Sequence, residues 1–71
     1  MKFIIKMRTD TAATPPVKRY WFVLVASNGE PVAASEMYTR KQSAVDTIDA
    51  IKSAAATGFA VLDETGEPLK D

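Results

Sequence analysis

Residues 26–41 read Ala-Ser-Asn-Gly-Glu-Pro-Val-Ala-Ala-Ser-Glu-Met-Tyr-Thr-Arg-Lys, and this stretch decides the fold. Asn28-Gly29 tolerates positive φ at both central positions, as a type I′ hairpin turn requires. A strand follows from about Pro31 to Glu36 and starts at its proline, because proline has no N–H to donate to a ladder. The four residues from Thr39 to Gln42 fit a capping box. The stretch therefore predicts a hairpin, a strand and the start of a helix.

Two further strands are predicted upstream of this stretch. Lys2–Met7 is a short apolar run with alternating character, and Lys18–Ala26 is rich in aromatic and β-branched residues, which favour strands. Arg8–Val17 lies between them and is predicted to be a loop, because Pro15-Pro16 interrupts both helices and ladders. Three consecutive antiparallel strands, a meander, are the simplest arrangement.

Downstream, Ala44, Ile48, Ile51 and Ala55 recur at helical spacing and form one apolar stripe. Gly58 is the predicted helix terminator, with the helix ending near Ala56. The fold class is therefore α+β, with the element order β-β-β-α-β.

The last of these elements is a short strand at Phe59–Asp63, which is apolar on both of its faces. Such a strand is unexpected in a monomer with one helix, because a helix covers only one face of a sheet. Residues 64–68 resemble a turn, and 69–71 are predicted to be a frayed tail.

The chain has 71 residues and contains neither cysteine nor histidine. Domains of this size have small cores and are often stabilised by disulfides, a structural metal or a partner chain. The composition excludes disulfides and zinc sites of thiolate and imidazole ligands. Self-association is the stabilising device that remains, although many domains of this size fold alone.

Nine basic residues balance nine acidic residues, so no overall field attracts nucleic acid or an anionic membrane. A local basic patch is compatible with this balance. No apolar run approaches the length of a membrane span, and residues 1–7 are too short for the apolar core of a signal peptide. We predict a cytoplasmic protein that does not contact membranes.

Two surfaces are candidates for binding. The first, which we call the Trp21 surface, comprises four apolar residues expected on the sheet face away from the helix: Ile4, Trp21, Val23 and Val25. It is either a site for a protein partner or an area buried by a loop or by dimer packing. The second, the helix-start cluster, comprises Tyr38, Arg40 and Lys41, where helix amides favour an anion. Alternatively, the stem of Lys41 packs over Tyr38.

Catalytic chemistry has few candidates in this sequence. Ser35, Thr39 and Ser43 near Lys41 are the conceivable serine–lysine set, but Thr39 is already explained as a cap. Two carboxylate pairs, Asp46/Asp49 and Asp63/Glu64, are also present. No pocket is predicted around either pair, and without one its two carboxylates rarely have the different pKa values that acid and base roles require. We predict no catalytic, cofactor or metal site, and no enzymatic activity.

The chain resembles the YegP-like family of small bacterial proteins of uncharacterised function. The residues that carry the resemblance run through all the elements: Phe3, Ile5, Phe22, Leu24, Ala26, Asn28-Gly29-Glu30, Ser35-Glu36, Tyr38, Lys41, Ser43, Ala44, Ile48, Lys52 and Asp63. The chain departs from the family pattern in its long first loop with Pro15-Pro16. It also departs in the apolar Trp21, Val23 and Val25 at positions that are usually polar.

The resemblance implies one YegP-like domain over residues 1–71, with a core at about 2–63 and a flexible tail at 64–71. A chain with a single β3-α-β unit is expected to form a homodimer. In it the two C-terminal strands would be exchanged and the two subunits would form one continuous sheet.

Two functions from different classes remain open. The favoured one is a homodimeric, non-catalytic binding or interaction module. The alternative is a nucleic-acid- or anion-binding accessory protein that uses the helix N-terminus or the sheet face, with Tyr20 or Trp21 as stacking platforms. The balanced charge disfavours nucleic acid. The sequence specifies neither ligand nor pathway.

Overall fold

The computed structural model describes residues 1–68 and consists of a three-stranded sheet and one helix. The strands are β1 (Lys2–Asp10), β2 (Val17–Val25) and β3 (Pro31–Ala34), and the helix is α1 (Lys41–Thr57). The strand order is β1-β2-β3 with antiparallel pairing throughout, which confirms the predicted α+β meander with one helix. The predicted tail at 69–71 lies outside the described residues.

The β1–β2 hairpin is longer than predicted. Arg8, Thr9 and Asp10, which the sequence predicts to lie in the loop, continue the ladder, and Asp10 pairs with Val17. The loop begins only after Asp10, whose carboxylate accepts a hydrogen bond from the Ala12 amide at 3.1 Å, an Asx-type turn start. The polar character of residues 8–10 reflects a solvent-facing strand end.

The second hairpin is present, but its predicted type I′ turn is wrong. Gly29 alone in this turn has a positive φ, of 88°, and its amide donates to the Ala26 carbonyl at 2.9 Å. The Ala26 amide donates in turn to the Glu30 carbonyl at 2.9 Å. This is the geometry of a type I turn followed by a glycine bulge. The Asn28 side chain explains the difference, because it accepts the Glu30 amide at 3.1 Å while Asn28 keeps a negative φ.

β3 ends at Ala34, two residues before its predicted end, and it contains an irregularity. Val25 pairs with Pro31, whereas Leu24 pairs with Ala33, so the register shifts between these positions. Pairing with β2 resumes at Tyr38, whose amide and carbonyl exchange hydrogen bonds of 2.7 and 2.8 Å with Tyr20.

The predicted capping box does not form. The residue preceding the helix is Arg40, in extended conformation, and it makes no side-chain capping bond. The Gln42 amide group instead donates to the Asp46 carboxylate at 2.8 Å. The paired backbone of Tyr38 holds Thr39 outside the helix. At the other end, Gly58 follows the helix as predicted, but the helix ends at Thr57 and Gly58 is not left-handed: its φ of 94° and ψ of 151° are a combination accessible essentially to glycine.

The core lies between β2 and α1. Phe22, Ala44 and Ile48 are buried, and Phe3, Tyr38 and Ile51 pack around them. The rings of Phe3 and Phe22 meet edge to face, with centroids 5.5 Å apart. Among the described residues, the buried hydrophobic ones are Phe22, Val25, Ala44 and Ile48, so the core is small.

Residues 58–64 are irregular and continue away from the helix. Phe59–Asp63, the predicted fourth strand, forms no ladder with the described part of its own chain. Its side chains are among the most exposed apolar groups, at 64% for Phe59 and 82% for both Val61 and Leu62.

Candidate functional site

The two faces of the sheet differ in composition because side chains alternate along each strand. The inner face carries Phe3 and Phe22 and is covered by α1. The outer face carries the residues of opposite parity, which are Lys2, Ile4, Lys6 and Arg8 from β1 and Arg19, Trp21, Val23 and Val25 from β2. Within residues 1–68, no second helix packs over this outer face as α1 packs over the inner one.

The four residues of the Trp21 surface do lie on this outer face, as their spacing predicts. Ile4 pairs with Val23 across the β1–β2 ladder, and Trp21 follows two residues earlier on β2. Their exposure differs, however. Ile4 is 36% exposed, Trp21 and Val23 are half-buried, and Val25 is only 6% exposed. Val25 therefore lies beneath the accessible part of the Trp21 surface.

A shallow depression of about 290 Å³ lies at one end of this face. Its lining comprises Lys2, Ile4, Lys6, Val23, Val25, Gly29 and Pro31. Sites for small organic ligands are usually enclosed and measure about 300–1,000 Å³. An open depression at the lower limit of that range fits the surface of an extended partner better than a small molecule.

Cations are concentrated on the outer face. Lys2, Lys6 and Arg8 form a row along β1, and Arg19 lies directly opposite Arg8. The carboxylate that β1 and β2 place on this face is Asp10, which contacts Arg19 at 3.8 Å. The balanced net charge of the chain gives no indication that cations are concentrated on one face of the sheet. The signal available in the sequence was the run of basic residues at even-numbered positions of β1, on the face opposite Phe3.

The three residues of the helix-start cluster differ in their surroundings. Tyr38 is half-buried and packs against the core formed by Phe22, Ala44 and Ile48. Arg40 and Lys41 are exposed, and the first turn of α1 contains no acidic residue. The aromatic ring therefore belongs to the core, and the two cations are left at a helix start without a second group that would define a ligand.

Ser35 has a structural role that sequence reasoning missed. Its hydroxyl accepts a hydrogen bond from the Phe22 amide at 2.9 Å and donates one to the Glu36 carbonyl at 2.8 Å. Its own amide donates to the Phe22 carbonyl at 2.9 Å. The Ser35 hydroxyl thus takes the place of a backbone carbonyl as the acceptor for the Phe22 amide, directly after the end of β3. This use of the hydroxyl disfavours Ser35 as a nucleophile.

Ser35→Ala is expected to lower the free energy of unfolding by about 1–3 kcal/mol, because it leaves the part-buried Phe22 amide without its acceptor. Urea denaturation measures the loss. Ser53→Ala is the matched control at an exposed helix position, where alanine is the better helix former and no loss is expected. A loss for Ser35→Ala no larger than that of the control would contradict the structural role.

One carboxylate of each predicted pair is held in a local hydrogen bond. Asp63 accepts hydrogen bonds from the Thr65 amide at 2.9 Å and from the Thr65 hydroxyl at 2.7 Å. These bonds, the backbone one first, hold the pKa of Asp63 below its ordinary value. Because the folded pKa is lowered, this exposed turn is stabilised above the usual carboxylate pKa and loses that stabilisation as the pH falls. Asp46 is engaged by Gln42.

Two general findings complete the description. Within residues 1–68, no three acidic residues come together as a metal site would require. The same part of the chain contains no helix with both the length and the apolar character needed to cross a bilayer.

Residues 1–68 form an α+β fold with a meander of three strands and a single helix. A family model described as a domain of unknown function, DUF1508, matches residues 18–59, which is more than half of the chain. The chain therefore belongs to this family, the YegP-like small proteins of unknown function, and the resemblance seen in the sequence is confirmed. The match covers β2, β3 and α1, whereas β1 lies before it. No curated protein and no solved structure was found to match.

Proposed function

We propose that this protein is a homodimeric, non-catalytic interaction module in which Phe59–Asp63 of each subunit pairs with the sheet of its partner. The observation that carries the proposal is the exposure of Phe59, Val61 and Leu62, which are 64–82% exposed in an irregular segment. Contiguous exposed apolar residues of this kind mark surfaces that are covered by a partner.

The dimensions of the single chain support this proposal. Its radius of gyration is 16.0 Å, whereas a compact domain of this length has a value of about 11 Å. Its accessible surface is 5796 Å², compared with about 4,300 Å² for a folded monomer of this mass. The chain thus leaves exposed an area comparable to that covered in a stable protein interface.

The outer edge of β1 is the better acceptor for the exchanged segment. β1 has nine residues, whereas β3 has four, begins with Pro31 and carries a register shift beside it. A long regular edge is the stronger template for an additional strand. On the inner face of β1, Ile5 is 38% and Met7 50% exposed, since α1 packs mainly on β2. An added strand and the partner's helix would cover these two side chains.

The absence of catalysis is part of the proposal and is supported by the uses of the candidate groups. The Ser35 hydroxyl accepts a hydrogen bond from the Phe22 amide, Asp46 accepts one from the Gln42 side chain, and Asp63 organises a turn with Thr65. Groups held in such bonds contribute to the fold. A cytoplasmic location stays a prediction from the sequence.

The test is the mass in solution, measured by light scattering at micromolar concentration. We expect twice the 7.7 kDa of a single chain. A mass equal to one chain across the accessible concentration range would contradict the proposal.

A further inference from the structure

We infer that the outer face of the sheet binds single-stranded nucleic acid, with phosphates along the cations of β1 and a base against Trp21. The inference concerns one subunit and does not depend on the proposed dimer. It goes beyond the interaction module by assigning a chemical class of partner to a defined surface.

The first argument is the arrangement of the side chains in two parallel rows. Lys2, Lys6 and Arg8 lie along β1, and Trp21 and Val23 lie along β2, with Lys6 directly opposite Trp21 in the register. Adjacent strands are about 4.8 Å apart, and residues two apart on one strand are separated by about 6.7 Å. A row of cations therefore runs immediately beside an aromatic platform. Single-strand binding surfaces combine these same two elements.

The second argument is the electrostatic repulsion between two arginines of the outer face. Arg8 and Arg19 are direct cross-strand partners, and like charges at such positions destabilise a strand pair. Asp10 offsets part of the repulsion through its 3.8 Å contact with Arg19, which is the one ion pair within residues 1–68. Arg8 and the two lysines of the row have no such carboxylate contact among these residues. A phosphate between the arginines would replace repulsion by attraction.

The balanced net charge does not oppose this binding. At physiological ionic strength the Debye length is about 8 Å, so an anion at the surface responds to nearby charges and only weakly to distant ones. Asp46 and Asp49 lie on α1, which covers the opposite face of the sheet, and Asp63 belongs to the C-terminal turn. On β1 and β2 the outer face therefore presents four cations and one carboxylate.

A membrane surface fits this face less well. Insertion into lipid needs a continuous apolar surface, whereas on this face Lys2 and Lys6 flank Ile4 along β1, and Val25 is only 6% exposed. An acidic peptide would satisfy the cations but carries no row of planar rings for the aromatic platform. A linear polymer with phosphates on one side and bases on the other matches both rows.

Trp21 is the only tryptophan of the chain, so intrinsic fluorescence reports on the proposed site directly. The probe is an oligothymidylate of about 12 nucleotides, within the usual range of single-strand site sizes. At low salt we expect saturable quenching. Binding should weaken with salt with a log–log slope of about −2, as expected when three phosphates are neutralised on a single strand.

Substitutions locate the site. Lys6→Ala with Arg8→Ala removes two cations of the row and should reduce the magnitude of the salt slope by about 1.4. The matched control, Arg40→Ala with Lys41→Ala, removes the same charge from the start of α1 and should leave the slope unchanged. With a fluorescently labelled oligonucleotide, Trp21→Phe should bind nearly as well as the parent, and Trp21→Ala about 5–100-fold more weakly. Circular dichroism and solution mass confirm that the charge variants keep the fold and assembly of the parent.

Three results would overturn the inference. One is the absence of quenching by the oligonucleotide at low salt. Another is an equal loss of binding in the Arg40/Lys41 control, which would place the contact elsewhere. The third is a Trp21 response to vesicles containing anionic phospholipid without a response to the oligonucleotide, which would assign the face to membranes.

Discussion

Phe22→Ala is expected to lower the free energy of unfolding by about 3–5 kcal/mol, which removes most of the stability of a domain this small. Phe22 is 6% exposed and is the one large side chain of the buried cluster, in which it packs with Ala44 and Ile48. It also holds the ring of Phe3 edge to face. The substitution therefore empties the centre of the contact between β2 and α1.

Equilibrium denaturation in urea measures this loss, with near-ultraviolet circular dichroism as the probe of tertiary packing. If Phe22→Ala is unfolded without denaturant, Phe22→Leu keeps most of the volume and provides a measurable value. We expect a loss of less than about 1.5 kcal/mol for that variant. A Phe22→Ala protein as stable as Phe22→Leu would mean that the core lies elsewhere.

Val61→Asp with Leu62→Asp is expected to abolish the dimer. In the single chain both side chains are 82% exposed, and substitutions at such positions usually change stability by about 0.5 kcal/mol or less. In the exchanged dimer the same substitutions would place two charges in an interface, where unpaired charges are strongly unfavourable. The solution mass should fall to that of one chain, and the midpoint of thermal unfolding should fall with it.

The matched control for this prediction is Val61→Ile with Leu62→Met, which keeps the apolar volume and should keep the dimer mass. The unfolding midpoint of the parent should also rise with protein concentration, as mass action requires of a dimer that dissociates on unfolding. If the aspartate variant retained the parent's mass and unfolding midpoint, the segment would have no role in assembly.

The order of strands and helix could be predicted because each element has its own local signal. The aromatic and β-branched run in β2, the Asn28-Gly29 turn and the apolar stripe of α1 are present within short stretches of sequence. Gly58 likewise signals the end of the helix in the sequence, because essentially only glycine adopts the backbone conformation found there. Signals of this kind require no knowledge of distant contacts.

Features set by pairing between distant residues could not be predicted. The capping box from Thr39 fails because Tyr38 is paired with Tyr20, and β3 ends early because the Ser35 hydroxyl takes over the bond from Phe22. Neither bond has a local pattern in the sequence. The turn type was missed for a smaller reason, since the Asn28 side chain bonds the Glu30 amide.

The candidate site illustrates the same limit. The Trp21 surface followed from two-residue alternation, but the cations around it became a patch only when the register placed Lys6 opposite Trp21 and Arg8 opposite Arg19. Net charge, which is a sum over the chain, carried no information about this arrangement. The apolar segment Phe59–Asp63 was identifiable in sequence, but within residues 1–68 it pairs with no strand.

The two proposals are connected by geometry. If the subunits form one continuous sheet with their helices on one side, both outer faces lie on the other side. A single strand of nucleic acid long enough to reach both faces would then bind the dimer more tightly than it binds one subunit, because the second contact is intramolecular. Longer oligonucleotides should therefore bind the parent more tightly than the Val61/Leu62 aspartate variant, while short ones should not distinguish them.

The exchange of the C-terminal segment is the central claim, and isotope-filtered nuclear Overhauser spectroscopy on a dimer reassembled from labelled and unlabelled subunits tests it most directly. We expect contacts between protons of Phe59–Asp63 in one subunit and protons of β1 in its partner. Contacts of this segment confined to its own subunit, or an absence of any contacts to a sheet, would contradict the claim.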